Sequence, residues 1–141
     1  GGVLHVCHVS TAGALDLVRQ ARGSLRITCG VTPHHLLWDA ARMDRPDGAL
    51  YKVNPPLRPA SDMHALRAAL AAGGIDWIET DHAPHAIVEK LAPPHCSGFP
   101  SLMLYRELVE ERLPEWGVSE ARIRELTHLN IRRAFSERKV T

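Results

Sequence analysis

The sequence predicts an α/β protein built on a parallel sheet. Short strand-like runs alternate with helical patterns along all 141 residues, and that order demands right-handed βαβ units. A polar, histidine-rich segment also follows each strand, at the sheet edge where α/β folds bind ligands. The composition, 45% hydrophobic and 23% charged, is that of a packed globular chain.

The run 3–10 (VLHVCHVS) reads as the first strand. Leu4, Val6 and His8 alternate onto one face, and Val3, His5, Cys7 and Val9 onto the other. Residues 11–22 read as a helix, capped by Ser10 or Thr11, with Ala14, Leu17, Val18 and Ala21 as its stripe and Gly23 at its end. A second strand, 25–31, stops at Thr32-Pro33 because proline lacks a ladder N–H. About 25 irregular residues, 34–59, hold room for one short helix near Leu36 to Ala41. A helix over 61–72 follows, with Ser61 as its cap and Gly73-Gly74 beyond it. The strand 75–80, a Pro-rich loop over 83–100, and helices over 101–112 and 119–135 complete the chain.

The net charge is +1, from 17 basic and 16 acidic residues, which argues against general nucleic-acid binding. The cluster Arg132, Arg133, Arg138 and Lys139 reads as a solvated helix face. No apolar run reaches membrane-spanning length. Cys7, Cys29 and Cys96 are too far apart for a Cys-x-x-Cys motif, and buried apolar filling is the expected role. The expected compartment is the cytoplasm.

Nine histidines are conspicuous beside 5% aromatics. His8 at the first strand's end and Asp81 at the third's are candidates for a shared metal, and Asp81 also for proton transfer. His5 has the opposite parity to His8, so a straight strand keeps the two apart. His85 follows Pro84 and reaches back over the same edge, whereas His82 points elsewhere, toward a helix. Of His34 and His35, one faces the site and the other packs. Asn54, held by Pro55-Pro56, offers a donor and an acceptor together, which suits a cyclic imide or ureide. Together these groups point to metal-assisted hydrolysis.

The runs LHVCHVST (4–11), VTPHHLLW (31–38), KVNPPLR (52–58), TDHAPH (80–85) and SGFPSL (97–102) resemble dihydroorotase, a cyclic amidohydrolase. The resemblance implies part of a (β/α)8 TIM barrel, with strands six to eight here. It also implies Zn²⁺, one or two ions, bound by His8 and Asp81, with Asp81 handling the proton. Asn54, His85, Ser97 and Gly98 are then substrate-binding, and the reaction is reversible hydrolysis of dihydroorotate to N-carbamoyl-L-aspartate. The partners implied are the small-molecule substrate, a second copy in a homodimer, or aspartate transcarbamoylase. Hydantoinase or allantoinase activity, and a non-catalytic scaffold for aspartate transcarbamoylase, are the alternatives.

The family's His-x-His pair, bridging carboxylated Lys or Asp, and strand-five histidine have no counterpart here. A whole barrel takes about 250 residues. The expectation is that residues 1–141 are the C-terminal portion of a longer enzyme, with little stability or activity alone. Glu79, of the same parity as Asp81, is an unexplained charge aimed into the barrel.

Overall fold

The computed structural model describes residues 2–136. Three parallel strands lie in the order β1-β2-β3: β1 is Leu4–Val6, β2 is Ile27–Val31 and β3 is Trp77–Ile78. Leu4, His5 and Val6 pair with Ile27, Thr28 and Cys29; Gly30 and Val31 pair with Trp77 and Ile78. The helices are α1 (Ala12–Ala21), α2 (Pro33–Leu37), α3 (Ala60–Ala71), α4 (Ile87–Leu91), α5 (Ser101–Glu107), α6 (Leu113–Glu115), α7 (Glu120–Arg124) and α8 (Asn130–Ser136). A π-helical turn, Leu108–Arg112, joins α5 to α6, and another, Glu125–Leu129, joins α7 to α8.

Period-two alternation divides the sheet into two chemically different faces. Val6, Ile27, Cys29, Val31 and Ile78 pack into the main core. Val18 of α1, Leu66 and Leu70 of α3, and Leu108, Leu113 and Leu126 from the later helices close over them. His5, Thr28, Gly30, Trp77 and Glu79 fall on the opposite face, where His5 bonds Thr28 and Trp77 bonds Glu79. This division makes one face a hydrophobic anchor and the other a polar platform.

Caps and turns refine the expected boundaries. Thr11, not Ser10, caps α1 through its hydroxyl, which accepts from the Ala14 amide. Pro33 starts α2, a position where its missing N–H costs nothing, so this helix begins earlier than expected. The rest of the long loop is not featureless: Ala40–Asp44 and Gly48–Tyr51 are 3₁₀ turns. Ser61 lies inside α3 and does not cap it. The third strand is two residues long, and the amides that flank it, Asp76 and Glu79, also donate to β2, to Cys29 O and Val31 O, both at 2.9 Å. Ser119 caps α7 as expected. Arg138 and Lys139 of the basic cluster lie outside the described residues.

Cys29 alone matches the expected role of buried filler, with its thiol pushed up to about 11 by burial. Cys7 is exposed and Cys96 half-buried. No helix among the described residues is long and apolar enough to cross a membrane.

Candidate metal and substrate site

The site begins where β1 ends. His8 adopts φ +54°, a left-handed conformation that breaks strand alternation. The parity argument therefore fails at this residue. Instead of joining Val6 on the helix-covered face, the His8 ring reaches the polar one, with Nδ1 2.7 Å from Glu79 Oε2 and Nε2 3.5 Å from Asp81 Oδ1. The His8 backbone N–H donates to the same Glu79 Oε2 at 2.9 Å. Asp81 also leaves its strand with positive φ, +46°. Two left-handed residues thus turn two side chains toward each other over the sheet edge.

Glu79 is the hub that sequence reasoning left unexplained. Its Oε1 meets His5 Nε2 and accepts from the Trp77 indole N–H at 3.1 Å. The His5 ring is fixed by a 2.9 Å bond between Nδ1 and Thr28 Oγ1 and by stacking on Trp77, centroids 4.2 Å apart. His5 and His8, expected to be separate, therefore share one carboxylate. Room for it comes from Gly30: a Cβ there would stand 2.2 Å from the Glu79 carboxyl carbon. The signal was present in the matched parities of His5 and Glu79, but the pairing register that sets them opposite was not.

A second cluster forms in the loops. The Asn54 amide donates to Ser97 Oγ at 3.2 Å, and His85 Nε2 lies 3.0 Å from Ser97 O. Asn54 and His85 are exposed, whereas Gly98 is buried. Gly98 has φ +147°, and a Cβ would approach Ala83 O to 2.4 Å. Lys90 holds the loops together: its ammonium donates to Lys52 O and Gly98 O, each at 2.8 Å. Burial pushes the Lys90 pKa down, and sequence reasoning missed this residue entirely. The segment after Asp81 ties the two clusters, with Ala83 N–H on Phe99 O at 2.8 Å and Ser101 Oγ donating to Asp81 O at 3.4 Å. His82 turns away and accepts from the Leu102 amide at the start of α5.

Neither His34 nor His35 is exposed. His35 bonds Thr32 Oγ1 and Pro55 O, at 2.6 and 3.0 Å, and so anchors the segment that carries Asn54. His34 is buried against Phe99, and burial pushes its pKa down to about 3.

The donor set suits a divalent ion. Two ligands about 2.05 Å from a tetrahedral ion stand about 3.3 Å apart, close to the observed His8–Asp81 separation. Glu79 Oε2 lies beside His8 Nδ1 without a hydrogen bond to it, and Nδ1 has no hydrogen-bond partner among the described residues; the carboxylate holds His8 through its backbone amide.

Comparison with known proteins gives this geometry a context. A dihydroorotase from Leifsonia xyli subsp. xyli is 54% identical over 91 residues, which are 64% of this chain and 20% of that protein. In sequence, this chain is similar to the dihydroorotases. It spans about a fifth of the length of the curated dihydroorotases it matches. No family model matches it. Among solved structures, D-hydantoinase from Bacillus sp. AR9 superposes with TM-score 0.85 at 25% identity, over 94% of this chain and 31% of that one. Dihydroorotase from Saccharomyces cerevisiae, solved with 5-fluoroorotic acid, gives TM-score 0.79 at 16% identity, over 91% and 36%. The α/β fold is thus that of cyclic amidohydrolases, and the dihydroorotase likeness rests on sequence.

Proposed function

We propose that this chain forms strands six to eight, with their helices, of a TIM-barrel dihydroorotase. The whole protein would hydrolyse dihydroorotate reversibly to N-carbamoyl-L-aspartate. The observation that carries the reading is the 3.5 Å approach of His8 Nε2 to Asp81 Oδ1 from separate parallel strands. The sequence likeness to dihydroorotases favours this substrate over other cyclic amides.

His8 and Asp81 would hold zinc, with further ligands outside residues 1–141. When bound, the metal would supply Lewis-acid polarisation of the scissile carbonyl and acidify the attacking water. Asp81 Oδ would accept the proton of that water and return it to the departing amide nitrogen. Glu79 would hold the His8 backbone through its amide and so position the ring for ligation. The Asn54 amide would read the ring's imide edge, which presents a donor and an acceptor together. His85 would meet the substrate carboxylate, and the backbone at Ser97 and Gly98 would close over the bound ring. The cytoplasm, where pyrimidines are made, is the compartment we assign. Association with a second copy or with aspartate transcarbamoylase belongs to the whole enzyme.

The hydantoinase structures support a second reading, action on a five-membered cyclic ureide, because the fold matches at TM-score 0.85. Initial rates of the intact protein on dihydroorotate and hydantoin, with metal analysis, separate the two. Preferential turnover of dihydroorotate by a zinc-containing protein is expected. Faster hydantoin hydrolysis transfers the assignment, and a metal-free, inactive protein points to a scaffold.

A further inference from the structure

We propose that His5, Cys7 and Glu79 form a second metal site, separate from the His8–Asp81 pair, for a thiophilic divalent ion of the zinc class. One ligand atom from each residue lies within 4.8 Å of the others. The three come from two elements that β2 spaces apart. His5 and Cys7 have the same parity at the end of β1, and Glu79 follows β3 on the same face of the sheet.

The site is built as well as clustered. The His5 ring cannot swing freely: it stacks on Trp77 and its Nδ1 bonds the Thr28 hydroxyl at 2.9 Å. Its Nε2 meets Glu79 Oε1, which can only accept, so Nε2 carries the ring proton and the Thr28 hydroxyl donates to Nδ1; a bound ion would take the place of that Nε2 proton. A ligating imidazole needs an outer partner, here the Thr28 hydroxyl, to fix its direction. Glu79 is likewise oriented, by the Trp77 indole on Oε1 and the His8 backbone amide on Oε2. Gly30 leaves the space that this carboxylate fills. Cys7 is exposed among the described residues and its thiol is free, so it is available as a ligand.

The donors set the ion. A thiolate, an imidazole and a carboxylate suit zinc and disfavour magnesium or calcium, which prefer oxygen alone. Three protein ligands leave a tetrahedral ion one open position. The His8–Asp81 pair contributes no sulfur, so a sulfur-dependent signal reports the second site alone.

Cobalt(II) is the probe, added to the intact protein. The expected result is a thiolate-to-cobalt charge-transfer band that saturates at one equivalent per chain. Cys7→Ser should abolish the band. His5→Ala should weaken cobalt binding by about tenfold or more, and Asp81→Asn should leave the band in place. No band in the wild-type protein, or an undiminished band in Cys7→Ser, overturns the proposal. A second measurement needs no variant. Zinc(II) should slow iodoacetamide alkylation of Cys7, read by peptide mass, and an unchanged rate at saturating zinc overturns the proposal equally.

Discussion

His8 Nε2 stands 3.5 Å from Asp81 Oδ1, and both residues reach that position through left-handed backbone at +54° and +46°. Such conformations cost of order 1–3 kcal/mol each at non-glycine residues. The Glu79 carboxylate offsets part of that cost at His8, since it holds the backbone amide at 2.9 Å. Asp81 is tied through its carbonyl to Ser101. The geometry of the two side chains is thus set by their neighbours and not by strand pleating.

Asp81→Asn tests the proton-transfer role in the intact enzyme. The amide keeps the size of the carboxylate and loses its basicity. Turnover should fall by about 10²–10⁴-fold, the usual worth of a positioned general base, while KM for dihydroorotate moves little. Steady-state rates at several substrate concentrations separate the two constants. Equal losses in kcat and in binding would leave Asp81 only a structural or ligating part.

Gly30→Ala addresses the Glu79 hub. The new Cβ would fall 2.2 Å from both the Glu79 carboxyl carbon and Oε1, so the carboxylate must move. A stability loss of about 1–3 kcal/mol is expected from the overpacking, with metal affinity falling by about 10–100-fold as the carboxylate that holds the His8 backbone amide is displaced. The same substitution in a Glu79→Ala background should cost almost nothing further, because the clash is then gone. Urea denaturation and metal titration of the four proteins complete the cycle. Additive losses would mean that Gly30 matters for some other contact.

The sheet, its parallel sense and the main helices could be read from periodicity, because Val6, Cys29, Val31 and Ile78 alternate as buried strands require. The site was legible only in part. Asp81, Asn54 and His85 stand out by residue type beside strand ends and prolines. Glu79 and His5 do not, since their meeting depends on the register between strands 74 residues apart in sequence, which no local pattern encodes. The His8 reversal was hidden for a related reason. A positive φ at a histidine has no compositional mark, and straight-strand parity then assigns the wrong face. Lys90 was missed because its partners are two backbone carbonyls in distant loops.

Gly98→Ala should act on the substrate loop. Gly98 combines φ +147° with a Cβ position 2.4 Å from Ala83 O and 2.9 Å from the His85 ring. An alanine would push the loop away from Asn54 and His85. KM for dihydroorotate should rise about tenfold, equivalent to roughly 1.4 kcal/mol of lost binding, with a smaller change in kcat. Lys90→Met, which releases the Lys52 and Gly98 carbonyls, should raise KM in the same direction. An unchanged KM in both variants would remove this loop from substrate binding.

Acid should destabilise the chain through its buried imidazoles. His34 is wholly buried, neither ring nitrogen has a hydrogen-bond partner among the described residues, and its pKa lies at about 3 instead of 6.5. Burial also pushes His35 down, opposed by the Pro55 and Pro56 carbonyls. The unfolded chain takes up protons near pH 6.5 and the folded one resists, so stability is full above that value and falls as the pH drops toward 3. Each such histidine contributes a slope of up to ~1.4 kcal/mol per pH unit in that window. His34→Phe keeps a ring against Phe99 and removes one titrating group, so the urea midpoint should decline less steeply between about pH 6.5 and pH 4.5. A variant whose midpoint tracks the wild type across that range would show that His34 charges as readily folded as unfolded.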